Sequence, residues 1–283
     1  MPYFILQVHE IIKNVFSGYK YTLRTIDKHC KIIYILKSGG SCMRIGIICA
    51  SDSELAPFLP IIDECKITEK AMLQFYEGTI NGINVVTLYS GVCKVNAAIA
   101  AQILIDTYDV DIIINAGTAG GMNPELEIFD SVISTEVAYH DVEPDILTEF
   151  HPWLESVYFK SDQELLNLSH KAIGKIETEG KVYWGRMVTG EIFIADEGRK
   201  KINEIFAPLT VDMETASIAH VCYVNGIPFI SIRCVTDTAT HSGTGHFEEN
   251  CNKASIIAKD ITVALLKELY SDQLQASDSL DFL

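Results

Sequence analysis

Seven short stretches rich in isoleucine, valine and other strand-forming residues predict the strands of a sheet. The predicted strands cover residues 44–50, 75–80, 84–89, 111–115, 131–136, 182–188 and 229–235. An Asn-Gly pair at 81–82 predicts a hairpin turn. Residues from 145 to the helix predicted to begin at 163 are expected to form a loop. Apolar runs between the strands predict helices at 95–108, 163–176 and 215–224, and an amphipathic run after the last strand predicts a helix at 254–270. Strands that alternate with helices are typical of an α/β domain with a helix-covered sheet.

The segment 211–237 carries the most candidate chemistry. A mostly apolar helix follows Glu214, and the next strand, 229–235, is interrupted only by one serine and Arg233. This pattern is typical of an interior strand that is buried on both faces. Ligands of open α/β sheets gather at the carboxyl ends of the strands. We therefore expect two carboxylates, Glu214 and Asp237, to share one pocket with the guanidinium of Arg233.

Each of these residues also has an ordinary structural explanation. An acidic residue in the first turn stabilises a helix by roughly 0.3 kcal/mol or more, so Glu214 alone is more often a helix cap. Asp237 alone would be a turn residue beside Thr238 and Thr240. Their occurrence with Arg233 in an apolar frame favours a functional role, because a buried charge needs a partner or a purpose.

A glycine-rich stretch follows the predicted strand 111–115 and is expected to be a loop. Its sequence at 116–121, Ala-Gly-Thr-Ala-Gly-Gly, would let the backbone approach a ligand closely. It is neither the G-x-G-x-x-G of dinucleotide sites nor a P-loop, which requires a lysine. The stretch therefore excludes both of these nucleotide-binding motifs.

Three aromatic residues in loops or at strand ends are further candidates. Phe193, in the predicted loop 189–196, would stack on a flat ligand, and a position in the core explains it equally well. His140 follows a tyrosine at a strand end, where packing or an interface explains it better than catalysis does. Phe247 lies in a glycine-containing stretch, 242–247, that is expected to be flexible.

Composition and charge narrow the class of protein. At 283 residues and 48% hydrophobic, the chain can bury the core of one large α/β domain. A net charge of −16 argues against nucleic acid as the main partner, and no apolar run approaches the roughly 20 residues of a membrane span. Eight cysteines without a C-x-x-C pair are typical of a reducing compartment, which predicts a cytoplasmic protein, and they give no sign of a zinc site.

The two ends of the chain differ from its middle. Residues 1–42 carry six basic and two acidic residues, and Ser-Gly-Gly-Ser at 38–41 is typical of a linker. A signal peptide is not expected, because no apolar segment with a small-residue cleavage site follows the basic residues. We expect an N-terminal extension of unknown role at 1–42, one domain at 43–270 and a loose acidic tail at 271–283.

Five segments, taken in order, resemble one family. They are RIGIICASDSE at 44–54, SGVCKVNAA at 90–98, INAGTAGG at 114–121, TGEIFI at 189–194, and VDMETASIAHVC with IRCVTD between 211 and 237. Together they resemble the bacterial 5′-methylthioadenosine/S-adenosylhomocysteine nucleosidases of the nucleoside phosphorylase superfamily. The resemblance implies a three-layer αβα fold with a mixed, twisted central sheet, usually as a homodimer. It also implies hydrolysis of the N-glycosidic bond of adenine nucleosides, with 5′-deoxyadenosine as a further substrate, without a metal or a cofactor.

The resemblance implies roles for individual residues. Asp237 corresponds to the acid that protonates adenine N7, and Glu54 corresponds to the carboxylate that holds the attacking water. Glu214 corresponds to the carboxylate that binds the ribose hydroxyls, helped by the backbone of Met213 and by Arg233. The other implied contacts are the base stack of Phe193, the base edge at Ile194, the ribose and water site at Thr118, and the 5′ substituent at Val92 and Phe247.

A few positions depart from the family pattern. Ser51 stands where many members have a methionine near the 5′ group, Phe129 replaces a common glycine, and residues 142–155 match poorly. In the family, the last of these regions contributes to the neighbouring subunit's site. The preferred 5′ substituent therefore stays open.

Three functions remain possible at this stage. A nucleosidase would use water, a phosphorylase on the same fold would use phosphate, and a third possibility is a catalytically silent nucleoside-binding protein. The loop 51–54 offers two carboxylates and no arginine, which favours water over a phosphate dianion. The presence of Glu54, Glu214 and Asp237 argues against a silent protein.

Overall fold

The computed structural model describes residues 20–25, 32–37, 43–150, 154–241 and 243–280. The chain divides into two compact units, Met1–Met43 and Arg44–Leu283. In the first unit the described residues form an antiparallel hairpin of β1 (Lys20–Thr25) and β2 (Ile32–Lys37). The linker expected at 38–41 lies outside the described residues, and the role of the extension stays open.

The second unit is built on a ten-stranded sheet. Its strands are β3 (Arg44–Cys49), β4 (Asp63–Lys70), β5 (Leu73–Ile80), β6 (Ile83–Tyr89), β7 (Ile112–Gly121), β8 (Ser131–Tyr139), β9 (Phe159–Lys160), β10 (Val182–Thr189), β11 (Thr210–Asp212) and β12 (Phe229–Asp237). Nine of them follow the order β11-β10-β8-β12-β7-β3-β6-β5-β4, and β9 pairs with β8. Strand β7 is parallel to β3 and β12, whereas β12 is antiparallel to β8, so the sheet is mixed. Strand β11 also pairs with β7, which closes five strands into a ring.

Helices cover both sides of this sheet. They are α1 (Asp52–Leu55), α2 (Lys94–Tyr108), α3 (Pro144–Phe150), α4 (Gln163–Ile173), α5 (Asp196–Phe206), α6 (Thr215–Asn225) and α7 (Thr244–Leu280). Helix α2 packs against α6, and α4 packs against α7. The expected three-layer αβα arrangement is confirmed. None of the helices in the described part of the chain has a stretch both long and apolar enough to cross a bilayer.

The apolar pattern places the interior correctly. Strand β12 is buried at every position between β7 and β8, as its sequence predicts. Small side chains let α2 and α6 approach each other closely, because Ala97 and Ala101 on α2 and Ala216 and Ala219 on α6 are all buried in one cluster. The predicted hairpin also forms: Asn81 and Gly82 have φ of 51° and 79°, the left-handed values that such a turn requires.

The glycine-rich stretch 116–121 is not a loop, and this prediction was wrong. Strand β7 continues through it to Gly121, because β12 supplies backbone partners as far as Gly120 and β11 supplies them at Gly120 and Gly121. Its glycines provide room rather than a turn. A Cβ added at Gly117 would lie 2.4 Å from Glu54 Oε1 and 2.8 Å from Arg233 Nη1.

Three of the described helices occupy residues that the pattern does not predict as helical. Helix α3 occupies part of the expected loop after residue 145, and α5 follows the loop at 190–195 without having been predicted. Helix α7 begins at Thr244, inside the stretch expected to be flexible, and it continues to Leu280, where a loose tail was expected. Gly243, with φ of +104°, makes the turn into α7, so a glycine that suggests flexibility marks a helix start instead.

Candidate active site

The carboxyl ends of β3, β7 and β12 meet at one edge of the sheet, where a cavity of about 320 Å³ opens. Eight of the ten predicted contact residues line this cavity: Glu54, Val92, Thr118, Phe193, Met213, Glu214, Asp237 and Phe247. They come from segments that are far apart in the sequence. The parallel arrangement of the central strands brings them together.

Glu54 is buried, and four hydrogen bonds fix its carboxylate. Oε1 accepts from the backbone N–H of Thr118 at 2.7 Å and from its hydroxyl at 2.9 Å. Oε2 accepts from the N–H groups of Ala50 at 2.6 Å and Ser51 at 3.2 Å. The Ser51 hydroxyl in turn accepts from the N–H of Glu54, which completes a capping box at the start of α1. The short helix α1 therefore delivers Glu54 to the cavity with its carboxylate already oriented.

Glu214 stands at the N-cap position of α6, but its side chain does not cap the helix. Asp212 does so instead, because its Oδ1 accepts from the N–H groups of Glu214 at 3.1 Å and Thr215 at 3.0 Å. The Glu214 carboxylate faces the cavity. Its Oε1 accepts from the N–H of Cys93 at 3.0 Å, and its Oε2 accepts from Arg233 Nη2 at 3.3 Å. The interpretation of Glu214 as a simple helix cap is therefore wrong.

Arg233 is fully enclosed beneath three carboxylates. Its guanidinium nitrogens lie 3.6, 3.5 and 3.3 Å from oxygens of Glu54, Asp212 and Glu214. Burial opposes the positive charge, but the three carboxylates together raise the pKa of Arg233. Burial is also the largest effect on Glu214, and it raises the pKa of Glu214 to about 7 although Arg233 acts in the opposite direction. We therefore expect Glu214 to change its protonation near neutral pH.

Asp237 is the last residue of β12, not a turn residue, and it is 1% exposed. Its Oδ1 accepts from the Thr236 hydroxyl at 3.0 Å, and its Oδ2 accepts from Arg199 Nη2 at 3.0 Å. Burial raises the pKa of Asp237, and Thr236, Arg199 and His246 offset this only in part. A buried carboxyl with raised proton affinity is suited to act as a general acid.

Apolar and aromatic side chains form much of the remaining wall. Phe193 is 39% exposed, and its ring stands edge-on to that of Phe247 with a centroid separation of 6.3 Å. Val92 and Met213 line the same cavity. The exposure of Phe193 excludes a core position, and an exposed ring in a concave site is suited to stacking on a flat ligand.

Three candidates lie away from the main cavity. Ile194 is buried and lines a neighbouring cavity of about 30 Å³ that shares part of its wall with the main one. Arg233 supports the carboxylates from beneath and does not reach the wall. His140 packs against Gly190, where an added Cβ would collide with its ring, and its Nε2 has no hydrogen-bond partner among the described residues. This position fits the packing explanation of His140.

Two residues of the site were not predicted from the sequence. Asp212 caps α6, and Arg199 reaches Asp237 from α5. Arg199 shares the buried face of α5 with Ile202 and Phe206. The spacing i, i+3, i+7 of these three residues is the signal that places a charge among apolar positions of one helix face.

Proteins of similar sequence and structure include 5′-methylthioadenosine/S-adenosylhomocysteine nucleosidases. The family profile described as the phosphorylase superfamily matches residues 44–267. The 5′-methylthioadenosine/S-adenosylhomocysteine nucleosidase of Shewanella halifaxensis is 37% identical over 234 residues, which cover 80% of this chain and 100% of that protein. The nucleosidase of an Exiguobacterium species is 35% identical over 237 residues, which cover 80% of this chain and 99% of that protein.

Solved structures agree with the sequence matches. The nucleosidase of Colwellia psychrerythraea in complex with adenine has a TM-score of 0.74 at 33% identity, covering 81% of this chain and 96% of that one. The nucleosidase of Neisseria meningitidis in complex with methylthio-immucillin-A has a TM-score of 0.73 at 30% identity, covering 79% and 98%.

The cavity residues described above all fall within the matched region, which begins at the first residue of β3. The matched relatives are covered over almost their whole length. The chain therefore belongs to the 5′-methylthioadenosine/S-adenosylhomocysteine nucleosidases of the phosphorylase superfamily.

Proposed function

We propose that this protein hydrolyses the N-glycosidic bond of 5′-methylthioadenosine and S-adenosylhomocysteine, releasing adenine and a 5′-substituted ribose. The observation that carries the proposal is one cavity lined by Glu54, Glu214 and Asp237 in a chain whose relatives bear this name. One related structure contains adenine, and another contains methylthio-immucillin-A. A cavity of about 320 Å³ is within the range of small-molecule sites.

Asp237 acts as the general acid in this proposal. It donates a proton to N7 of adenine as the glycosidic bond breaks, so that the base leaves as a neutral purine. The raised pKa of Asp237, which burial causes, is in the direction that an acid needs near neutral pH. Phe193 stacks on the base, and the backbone at Ile194 binds its edge.

Glu54 holds the attacking water and takes its proton as the new bond to the sugar forms. Its carboxylate already accepts four hydrogen bonds, about as many as its lone pairs allow. Three of the donors are backbone N–H groups, and the fourth is the rotatable hydroxyl of Thr118. We therefore infer that the Thr118 hydroxyl rotates away from Glu54 Oε1 and that the attacking water takes its place as the hydrogen-bond donor to Oε1. The rotated hydroxyl then binds the same water.

Glu214 binds the ribose hydroxyls. One ionised carboxylate can accept two hydroxyl hydrogen bonds of about 1.5 to 3 kcal/mol each. Arg233 and the N–H of Cys93 hold the Glu214 carboxylate in position, and the backbone of Met213 lies next to it. The 5′ substituent extends along apolar wall residues, Val92 among them.

The proposal includes a homodimer in the cytoplasm that uses neither metal nor cofactor. The neighbouring helices α2 and α6 expose apolar side chains that a second copy would cover. Val95 is 68% exposed, Ile99 44%, Tyr223 45% and Val224 50%. The six cysteines in the described part of the chain are free thiols, which supports a reducing compartment.

The electrostatics of the cavity disfavour a phosphorylase. Of the described residues that line it, five are acidic and none is a lysine or an arginine. A phosphate dianion needs arginines or clustered N–H groups, and a like charge about 4 Å away costs about 1 kcal/mol even in water. Arg233, the cation that could have bound phosphate, is occupied by three carboxylates beneath the cavity.

Product analysis tests the proposal. Purified protein is incubated with 5′-methylthioadenosine, S-adenosylhomocysteine or 5′-deoxyadenosine, and adenine release is followed by chromatography. We expect adenine from the first two substrates and a loss of at least about 10²-fold in Glu54→Gln. The surface change Glu204→Gln is the matched control and should leave turnover unchanged, because Glu204 lies on an exposed face of α5. Binding without adenine release by the wild type would instead identify a silent nucleoside-binding protein.

A further inference from the structure

Asp237 has a buried cationic partner that the proposed mechanism does not yet use. Arg199 extends from α5 with its side chain 6% exposed, and its Nη2 donates to Asp237 Oδ2 at 3.0 Å. Its Nη1 donates to the carbonyl of Gly121 at the end of β7. Arg199 does not line the cavity, so it contacts Asp237 from the side away from the ligand.

The surroundings of Arg199 suggest that this pairing is its purpose. Its neighbours on the helix face, Ile202 and Phe206, are buried and apolar, and an apolar residue at 199 would complete that face. A buried guanidinium is costly unless it is paired and hydrogen-bonded. Here Nε has no hydrogen-bond partner among the described residues. Among the described residues, Arg199 forms its salt bridge with the carboxylate of Asp237.

We propose that Arg199 is a positioning residue that orients the carboxyl group of Asp237 and sets how tightly this group holds its proton. The inference rests on the proposed role of Asp237 as general acid. Arg199 acts through Asp237 and has no contact with the substrate.

The charge of Arg199 opposes the effect of burial. Burial raises the pKa of Asp237, and the Thr236 hydroxyl, Arg199 and His246 lower it. The acidic side chains of the same cavity face the site from other elements, and they are Glu54 on α1, Asp212 on β11, Glu214 before α6 and Glu248 on α7. Without Arg199, only Thr236 and His246 would oppose the effect of burial, so Asp237 would stay protonated to higher pH and would be a weaker proton donor.

The sign of the pH effect follows directly. Asp237 must carry a proton to donate it, so turnover falls as the pH rises through its pKa. Loss of the Arg199 charge raises that pKa. The alkaline limb of the kcat profile therefore moves to higher pH, while the plateau value of kcat falls because the acid is weaker and less well oriented.

The test compares Arg199→Gln and Arg199→Met with Arg199→Lys. In Arg199→Gln and Arg199→Met we expect the alkaline limb of the kcat profile to move at least about one unit to higher pH, and kcat to fall about tenfold or more. In Arg199→Lys the limb should stay within about 0.3 pH units of its wild-type position. An alkaline limb at the same pH in the wild type and in Arg199→Gln, with folding verified by circular dichroism, overturns the proposal and leaves Arg199 a packing residue. If Arg199→Met does not fold, the Gln and Lys variants decide the question.

A measurement without turnover separates this inference from the proposed function. The side-chain carboxyl ¹³C signal of Asp237, assigned by its loss in Asp237→Asn, is titrated in the wild type and in Arg199→Gln. We expect a titration midpoint at least about one unit higher in Arg199→Gln. An unchanged midpoint overturns the role of Arg199. If the midpoint is higher in Arg199→Gln than in the wild type but the wild type releases no adenine, only the proposed function is contradicted.

Discussion

The substitution Gly117→Ala should disable the site although Gly117 does not line the cavity. An added Cβ would lie 2.4 Å from Glu54 Oε1 and 2.8 Å from Arg233 Nη1. Ordinary contact requires the Glu54 carboxylate to retreat by about 1 Å. Its hydrogen bonds from Thr118, at 2.7 and 2.9 Å, would then exceed the length of a hydrogen bond.

The magnitude follows from these contacts. Losing two hydrogen bonds to a buried carboxylate and overpacking the site should lower the free energy of unfolding by about 2 to 4 kcal/mol. A catalytic group displaced by 1 Å can cost about 10²-fold in rate, which corresponds to about 2.7 kcal/mol in the activation free energy. We therefore expect kcat/KM to fall at least about 10²-fold.

The assay is adenine release from 5′-methylthioadenosine, with the melting temperature measured in parallel. Gly174→Ala is the matched control, because an added Cβ there meets only backbone oxygens at 3.6 Å and its φ of −64° suits alanine. It should keep full activity. If Gly117→Ala kept kcat/KM within threefold of the wild type and melted at the same temperature, the tight placement of Glu54 against β7 would be refuted.

Three further predictions concern the acid, the ribose site and the extension. Asp237→Asn should abolish turnover and leave nucleoside binding within about tenfold, because the amide keeps the shape but cannot donate the proton; more than a tenth of wild-type kcat would contradict this. Because the pKa of Glu214 is raised to about 7 and its ionised form accepts the hydroxyls, kcat/KM should fall as the pH drops below 7, and Glu214→Gln should lose both this limb and the preference for ribo over 2′-deoxy substrates. An unchanged limb in Glu214→Gln would reassign it to another group. Deleting residues 1–42 should shift the melting temperature by less than about 2 °C and leave kcat/KM intact, since the first core strand begins at Arg44; a large fall would show that the extension stabilises the domain.

Much of the site could be predicted because its residues stand at the ends of strongly patterned elements. Residues 229–235 of β12 are apolar except for one serine and Arg233, so the pattern places Arg233 inside a buried strand and Asp237 at its carboxyl end. The first turn of α1 carries a capping-box pattern, which places Glu54. Both are local signals, which can be read from a few neighbouring residues in the sequence.

The rest depends on contacts between distant segments. Gly117 looks like a turn residue in the sequence, and only its closeness to Glu54 and Arg233 explains why it is a glycine in a strand. The choice between a cap and a ligand-binding carboxylate at Glu214 depends on Asp212 taking over the cap. The pairing of Arg199 with Asp237 joins residues 38 positions apart, which no local pattern shows.

Identifying the nucleophile, water or phosphate, tests most directly the claim that this protein is a hydrolase. Purified protein is assayed with 5′-methylthioadenosine in phosphate-free buffer and in buffer with phosphate, and the sugar product is identified by mass spectrometry. We expect the same rate of adenine release in both buffers, with free 5-methylthioribose as the product, because the described residues that line the cavity include five acidic side chains and no lysine or arginine. A reaction that requires phosphate and yields a ribose 1-phosphate would contradict the account and identify a phosphorylase.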